Sequence, residues 1–181
     1  DPSYAAQLVT FTFPHIGNVG VNGEDIENAS PAASTAARGA IFRADVTSPS
    51  NYRAQLDLSA WMRRRGIIGI AGVDTRALTA RIREHGMPHG VIAHHPSGRF
   101  DIEALQKRAA DWAGLEGRDL ARDVTTLQSY PHTEKGWEWE KGYTAHDGTG
   151  PHIVVIDYGV KRNILRRLAS EGCRVTVVSA K

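Results

Sequence analysis

The sequence has a single cysteine, Cys173, among 181 residues. That excludes an internal disulfide framework and fits a reducing cytoplasm. No apolar run is long enough to span a bilayer, and no signal-peptide pattern is present, so no membrane partner is expected. The chain opens at Asp1-Pro2-Ser3 without Met, which leaves room for a leader upstream. An excess of charge of one sign is also lacking, with 22 Lys and Arg against 20 Asp and Glu and a net charge of +2. A dedicated nucleic-acid binder would show a basic face, so no nucleic-acid partner is expected. There is no G-x-x-x-x-G-K-[ST] and no G-x-G-x-x-G, hence no indicated nucleotide loop. There is also no G-x-S-x-G elbow.

What is present fits a globular α/β protein of one or two domains, 41% apolar and 23% charged. The stretch from His152 to Asn163 organises the C-terminal part. An apolar run, Ile153 to Ile156, meets Asp157, Tyr158 and Gly159. A helical pattern follows over Asn163–Glu171, then a second apolar run, Val175 to Val178. Strand, turn, helix and strand predict the start of a parallel sheet. The turn lies at the carboxyl end of the first strand, where such sheets bind ligands. One β-α-β unit cannot bury both faces of its sheet, so the sequence reads as part of something longer.

Upstream, Leu8–Phe13 reads as a strand closed by Pro14, and His15–Gly23 as a loop of tight turns. Glu24–Ala37, broken at Ser30-Pro31, receives no assignment. Ala40-Ile41-Phe42 reads as a second strand. Asp57 caps a helix that ends on Arg63-Arg64-Arg65 and Gly66. The three arginines are read as compensating the helix dipole. Ile67–Val73 is a strand whose small residues predict close packing. Asp74 caps a helix over Thr75–His85. Val91–Ala93 is strand-like, Asp101 starts another helix, and Arg118–Arg122 forms a short one. Trp137 and Trp139 alternate with Glu138 and Glu140 as on a two-faced strand, within a linker-like stretch that ends at Asp147-Gly148-Thr149-Gly150-Pro151.

Cys173 follows a helix exit and precedes a strand, at the end of the sheet away from ligands, so it reads as a small buried hydrophobe. His85, His89, His94 and His95 have metal-like spacing but surround turns and lack a cysteine, and no metal site is assigned. Lys161 and Arg162 stand in the first turn of a helix, the unfavourable end for positive charge. Two readings stay open there. An anionic ligand or acidic surface answers the charges, or both side chains extend into water.

Several stretches together carry a specific likeness. They are Asp1-Pro2-Ser3-Tyr4, Val9 to Gly20 (Val-Thr-Phe-Thr-Phe-Pro-His-Ile-Gly-Asn-Val-Gly), Ala71 to Thr79 (Ala-Gly-Val-Asp-Thr-Arg-Ala-Leu-Thr), and Asp157 to Leu165 (Asp-Tyr-Gly-Val-Lys-Arg-Asn-Ile-Leu). In this order, over nearly the whole chain, they resemble the small, glutamine-hydrolysing subunits of bacterial carbamoyl-phosphate synthetase, of proteobacterial type. The resemblance implies a mixed β/α N-terminal domain over 1–130 with its start missing. It implies a linker over 131–151, then the first β-α-β unit of a class I glutamine amidotransferase domain, a flavodoxin-like open parallel sheet, over 152–181.

It further implies a cytoplasmic enzyme subunit that hydrolyses L-glutamine through a cysteine thioester. The ammonia would pass to a large subunit that makes carbamoyl phosphate from bicarbonate and ATP, for arginine and pyrimidine biosynthesis. The catalytic Cys, His and Glu would lie beyond Lys181, so these 181 residues alone should be inactive. No cofactor is implied for this subunit, since ATP and Mg serve the large one. Ser3 matches the family's serine that contacts glutamine across the domain interface. Asp157, Gly159, Lys161, Arg162 and Asn163 are interface or scaffold positions. The competing readings are a non-catalytic partner-binding module, with Asp157 to Asn163 as its contact surface, and a flavodoxin-like nucleotide binder using Lys161.

Overall fold

A computed structural model describes residues 1–27 and 36–181; the expected break at Ser30-Pro31 lies outside the described residues. The chain divides into two compact units, Ala6–Ile26 with Ala37–Arg118, and Asp1–Ala5 with Glu27–Ala36 and Asp119–Lys181.

The first of these units holds a three-stranded parallel sheet, β1 (Leu8–Thr10), β2 (Gly39–Ile41) and β3 (Ile68–Ile70), in that spatial order. Ala40, Phe42 and Met62 form its buried centre, with Trp61, Leu58 and Ile67 packed against them. The expected close packing at β3 is met at Gly69, where a Cβ would lie 2.9 Å from Met62 Cε. Helix α1 (Leu58–Arg64) is capped by Asp57, which accepts from the Ala60 amide at 2.8 Å. At its end the Arg65 guanidinium stacks 5.2 Å from the Trp61 ring centre. Asp74 and Asp101 cap α2 (Thr75–His85) and α3 (Ile102–Ala110) in the same way, through the Ala77 and Ala104 amides. The three caps share one cause: a carboxylate three residues ahead of an unpaired first-turn amide. Val91–Ala93, expected as a short strand, is irregular. Three residues form a strand only with a neighbour to pair with.

The second unit begins with a single 3-10 turn, Pro2–Tyr4. It continues through α4 (Leu120–Val124), β4 (Tyr130–His132), β5 (Glu134–Glu138), β6 (Gly142–Ala145), β7 (His152–Asp157), α5 (Arg162–Ser170) and β8 (Arg174–Ser179). The expected β-α-β unit is present: β7 and β8 run parallel, His152 opposite Arg174 and Asp157 opposite Ser179. Leu165 of α5 packs on Val175 and Val177 of β8, with Val155 and Leu168 beside them. The opposite side of β7 leaves Val154 and Ile156 exposed.

Residues 131–151, expected as a linker, instead carry most of β4 and the β5–β6 hairpin. β4 pairs antiparallel with β8, which gives the order β4-β8-β7. The last segment of this compact unit begins at Asp119, ahead of the linker expected over 131–151. Pro131 hid β4. Proline supplies no ladder donor and is tolerated at a sheet edge, which is where β4 lies.

Candidate functional site

The turn after β7 is built on Asp157, which is buried at the strand's end. One carboxylate oxygen accepts from the amides of Gly159 and Val160, each at 2.9 Å; the other accepts from the Thr126 amide at 2.7 Å. Three backbone donors thus converge on one side chain. They bind the turn to itself and to the chain leaving α4.

Gly159 is buried with φ +87°, a conformation that side chains rarely adopt. A Cβ at this position would stand 3.1 Å from Val124 Cγ2, 3.2 Å from the Ser3 nitrogen and 3.3 Å from the Pro2 carbonyl carbon. Ser3 and Gly159, 156 positions apart, are therefore neighbours. The Ser3 hydroxyl donates to Asp1 Oδ1 at 2.7 Å, and its amide donates to the same oxygen at 3.0 Å. Asp, Pro and Ser are all suited to a turn of this kind.

Lys161 is the N-cap of α5 but forms no side-chain capping bond, and it is exposed, as is Asn163. The Arg162 amide, at the first helical position, donates to both carboxylate oxygens of Glu27, at 3.0 and 3.2 Å. The Arg162 side chain meets Glu134, Nε to Oε1 at 3.2 Å. Arg166, one turn on and buried, donates from Nε to the same oxygen at 2.6 Å and from Nη1 to the Tyr143 hydroxyl at 3.0 Å. The Arg162 charge at the start of α5 is thus answered by a carboxylate of the chain itself, while Lys161 extends toward solvent. Neither Glu27 nor Glu134 was singled out from sequence. No local pattern links them to α5, because their partners lie 135 and 28 to 32 positions away.

Two groups nearby are shifted by burial. Burial raises the Tyr130 hydroxyl above its ordinary value, and the Asp157 charge adds to this. Burial lowers His132, against the opposing pull of the Glu134 carbonyl that its Nε2 meets at 2.9 Å.

The remaining candidates stand apart from this turn. Cys173 precedes β8 at the His152 end of the sheet, opposite to Asp157, and packs on the Leu165, Val175 and Val177 cluster. His89 stacks edge-on against Trp112 with ring centres 5.1 Å apart, and His95 Nδ1 pairs with Ser97 Oγ at 2.7 Å. Among the described residues no three His, Cys, Asp or Glu side chains are grouped to hold a metal. Among them also, no helix is long and apolar enough to cross a membrane.

Comparison with known proteins adds what geometry alone does not. Residues 1–92 match the family described as carbamoyl-phosphate synthase small chain, CPSase domain. The chain is 61% identical over 180 residues to the carbamoyl phosphate synthase small chain of Caulobacter vibrioides, covering 99% of this chain and 46% of that protein. It is 60% identical over 183 residues to the same protein of Rhizobium meliloti, covering 100% of this chain and 46% of the relative. For Mesorhizobium japonicum the identity is 59% over 180 residues, covering 99% and 45%. The chain therefore spans a little under half the length of the curated relatives it matches.

Proposed function

Because the chain belongs to the carbamoyl-phosphate synthase small-chain family, we propose that the complete protein hydrolyses glutamine and passes the ammonia to a large subunit, which makes carbamoyl phosphate from bicarbonate and ATP. The observation that carries this reading is the 61% identity across 99% of the chain. The product would feed arginine and pyrimidine synthesis in the cytoplasm. This subunit would need no cofactor of its own; ATP and magnesium would serve the large subunit.

On this reading β7, α5 and β8 open a class I glutamine amidotransferase sheet. Ser3 contacts the substrate glutamine, and Asp157 and Gly159 hold the turn beside it. A cysteine thiolate outside these 181 residues attacks the side-chain amide of glutamine, a histidine supported by a glutamate moves the proton, and ammonia leaves. Water then cleaves the thioester and releases glutamate. Cys173 is not that nucleophile; its place at the amino end of β8 and its packing against Leu165 support a structural role. Lys161 and Asn163, both exposed, are interface positions.

The test is ammonia release from glutamine by the full-length gene product. Ser3→Ala should raise the glutamine KM roughly tenfold, the effect of losing one hydrogen bond to a charged group. An unchanged KM removes the Ser3 assignment. Residues 1–181 alone should release no ammonia, and turnover by them would overturn the placement of the catalytic groups. A full-length product that binds a large subunit yet releases no ammonia would favour a non-catalytic docking module.

A further inference from the structure

Glycine at positive φ recurs among the described residues, and backbone freedom alone explains some of these positions. At Gly66, Gly72, Gly86 and Gly98 an added Cβ would meet nothing within 4 Å. Gly159 differs, because its Cα is covered on one side by Val124 and on another by the backbone of Pro2 and Ser3. The covering segment is packed: Pro2 and Ala5 are buried, and Ala5 forms a cluster with Val124. It is also closed on itself. Tyr4 N donates to the Asp1 carbonyl, Ala5 N donates to the Pro2 carbonyl, and both the amide and the hydroxyl of Ser3 donate to Asp1 Oδ1. A push on the Ser3 nitrogen is therefore carried to its hydroxyl, since the two share one acceptor.

We propose that Gly159 is the positioning residue for Ser3: its bare Cα is the seat of the Pro2–Tyr4 turn, and any side chain there displaces the Ser3 hydroxyl from its place toward the substrate. The inference rests on the reading of Ser3 as a glutamine contact. Asp157 supports the same seat from two directions, by holding the Gly159 amide and by holding the Thr126 amide beside Val124.

A Cβ 3.2 Å from the Ser3 nitrogen is too close by a few tenths of an ångström. Misplacement by a full ångström costs up to about a hundredfold, so Gly159→Ala should raise the glutamine KM of the full-length protein about three- to tenfold. The kcat should change by about twofold at most, because the chemical groups are untouched. A variant that only unfolds lowers the amount of active protein and leaves KM alone.

The decisive measurement is the double-mutant cycle with Ser3→Ala. Gly159→Ala should raise KM in the parent and add little in the Ser3→Ala background. If Ser3→Ala raises KM while Gly159→Ala leaves it unchanged, or multiplies it independently, the positioning role is overturned and the Ser3 assignment stands. If Ser3→Ala leaves KM unchanged, the Ser3 assignment itself falls, and the positioning role falls with it. Should Gly159→Ala fail to fold, Val124→Ala decides, since it removes the methyl that shares the seat without altering the Gly159 backbone. A raised KM that Ser3→Ala abolishes supports the seat; an unchanged KM overturns it.

Discussion

The carboxylate of Glu27 accepts the Arg162 amide at 3.0 and 3.2 Å across 135 positions of sequence. It performs for α5 what Asp57, Asp74 and Asp101 perform for their helices from the N-cap itself. Lys161 stands where such a cap would be and forms no capping bond.

Glu27→Ala should therefore lower stability by about 1 kcal/mol, the usual cost of a lost cap. Lys161→Asp in that background should recover most of it, by supplying a local acceptor and a charge that suits the dipole. Urea midpoints of the four combinations measure both effects. Equal midpoints for the parent and Glu27→Ala would show that the contact contributes nothing.

Arg166 of α5 is buried beneath the β5–β6 hairpin, with Glu134 at 2.6 Å and the Tyr143 ring centre 3.7 Å from its guanidinium. Arg166→Ala leaves the Glu134 carboxylate with less compensation and opens a space beneath the β5–β6 hairpin. A loss of about 3 kcal/mol is expected, typical of a broken buried pair. Adding Glu134→Gln should restore part of it. A double variant as unstable as the sum of both singles would argue against coupling between the pair.

His132 gives the fold a pH dependence of known sign. Burial holds its folded pKa below the ordinary value. Above about pH 6.5 the imidazole is neutral in both states and adds no dependence. As pH falls past that point the unfolded chain takes up a proton that the folded chain resists, so stability is lost until the lowered folded pKa is passed. His132→Asn should be less stable than the parent at pH 7.5, and the gap should narrow between pH 6.5 and 5. A gap that stays constant with pH would show that His132 does not titrate differently in the two states.

Much of the fold was legible because its causes are local. An aspartate ahead of an unpaired first-turn amide sets the start of α1, α2 and α3, and glycine sets the exits of α1 and α2. The apolar runs at 153–156 and 175–178 read as strands joined by a helix, although the structure leaves Val154 and Ile156 of the first run exposed. β4 escaped because Pro131 argues against a strand unless the segment is known to lie at a sheet edge. Val91–Ala93 erred in the other direction, since β propensity is expressed only where a neighbour exists to pair with.

The candidate site divides along the same line. Residue order was enough to place a turn at Asp157 and Gly159, at the carboxyl end of a parallel strand, and to show positive charge gathered at the unfavourable end of α5. Motif matches also placed the chain in its family, because identity between sequences needs no coordinates. The folded chain alone shows that Glu134 meets the Arg162 charge, that Glu27 accepts the Arg162 amide, and that the Ser3 backbone rests against Gly159. Those contacts join residues 28 to 156 positions apart. Chain folding brings them together, and no local propensity encodes such a distance.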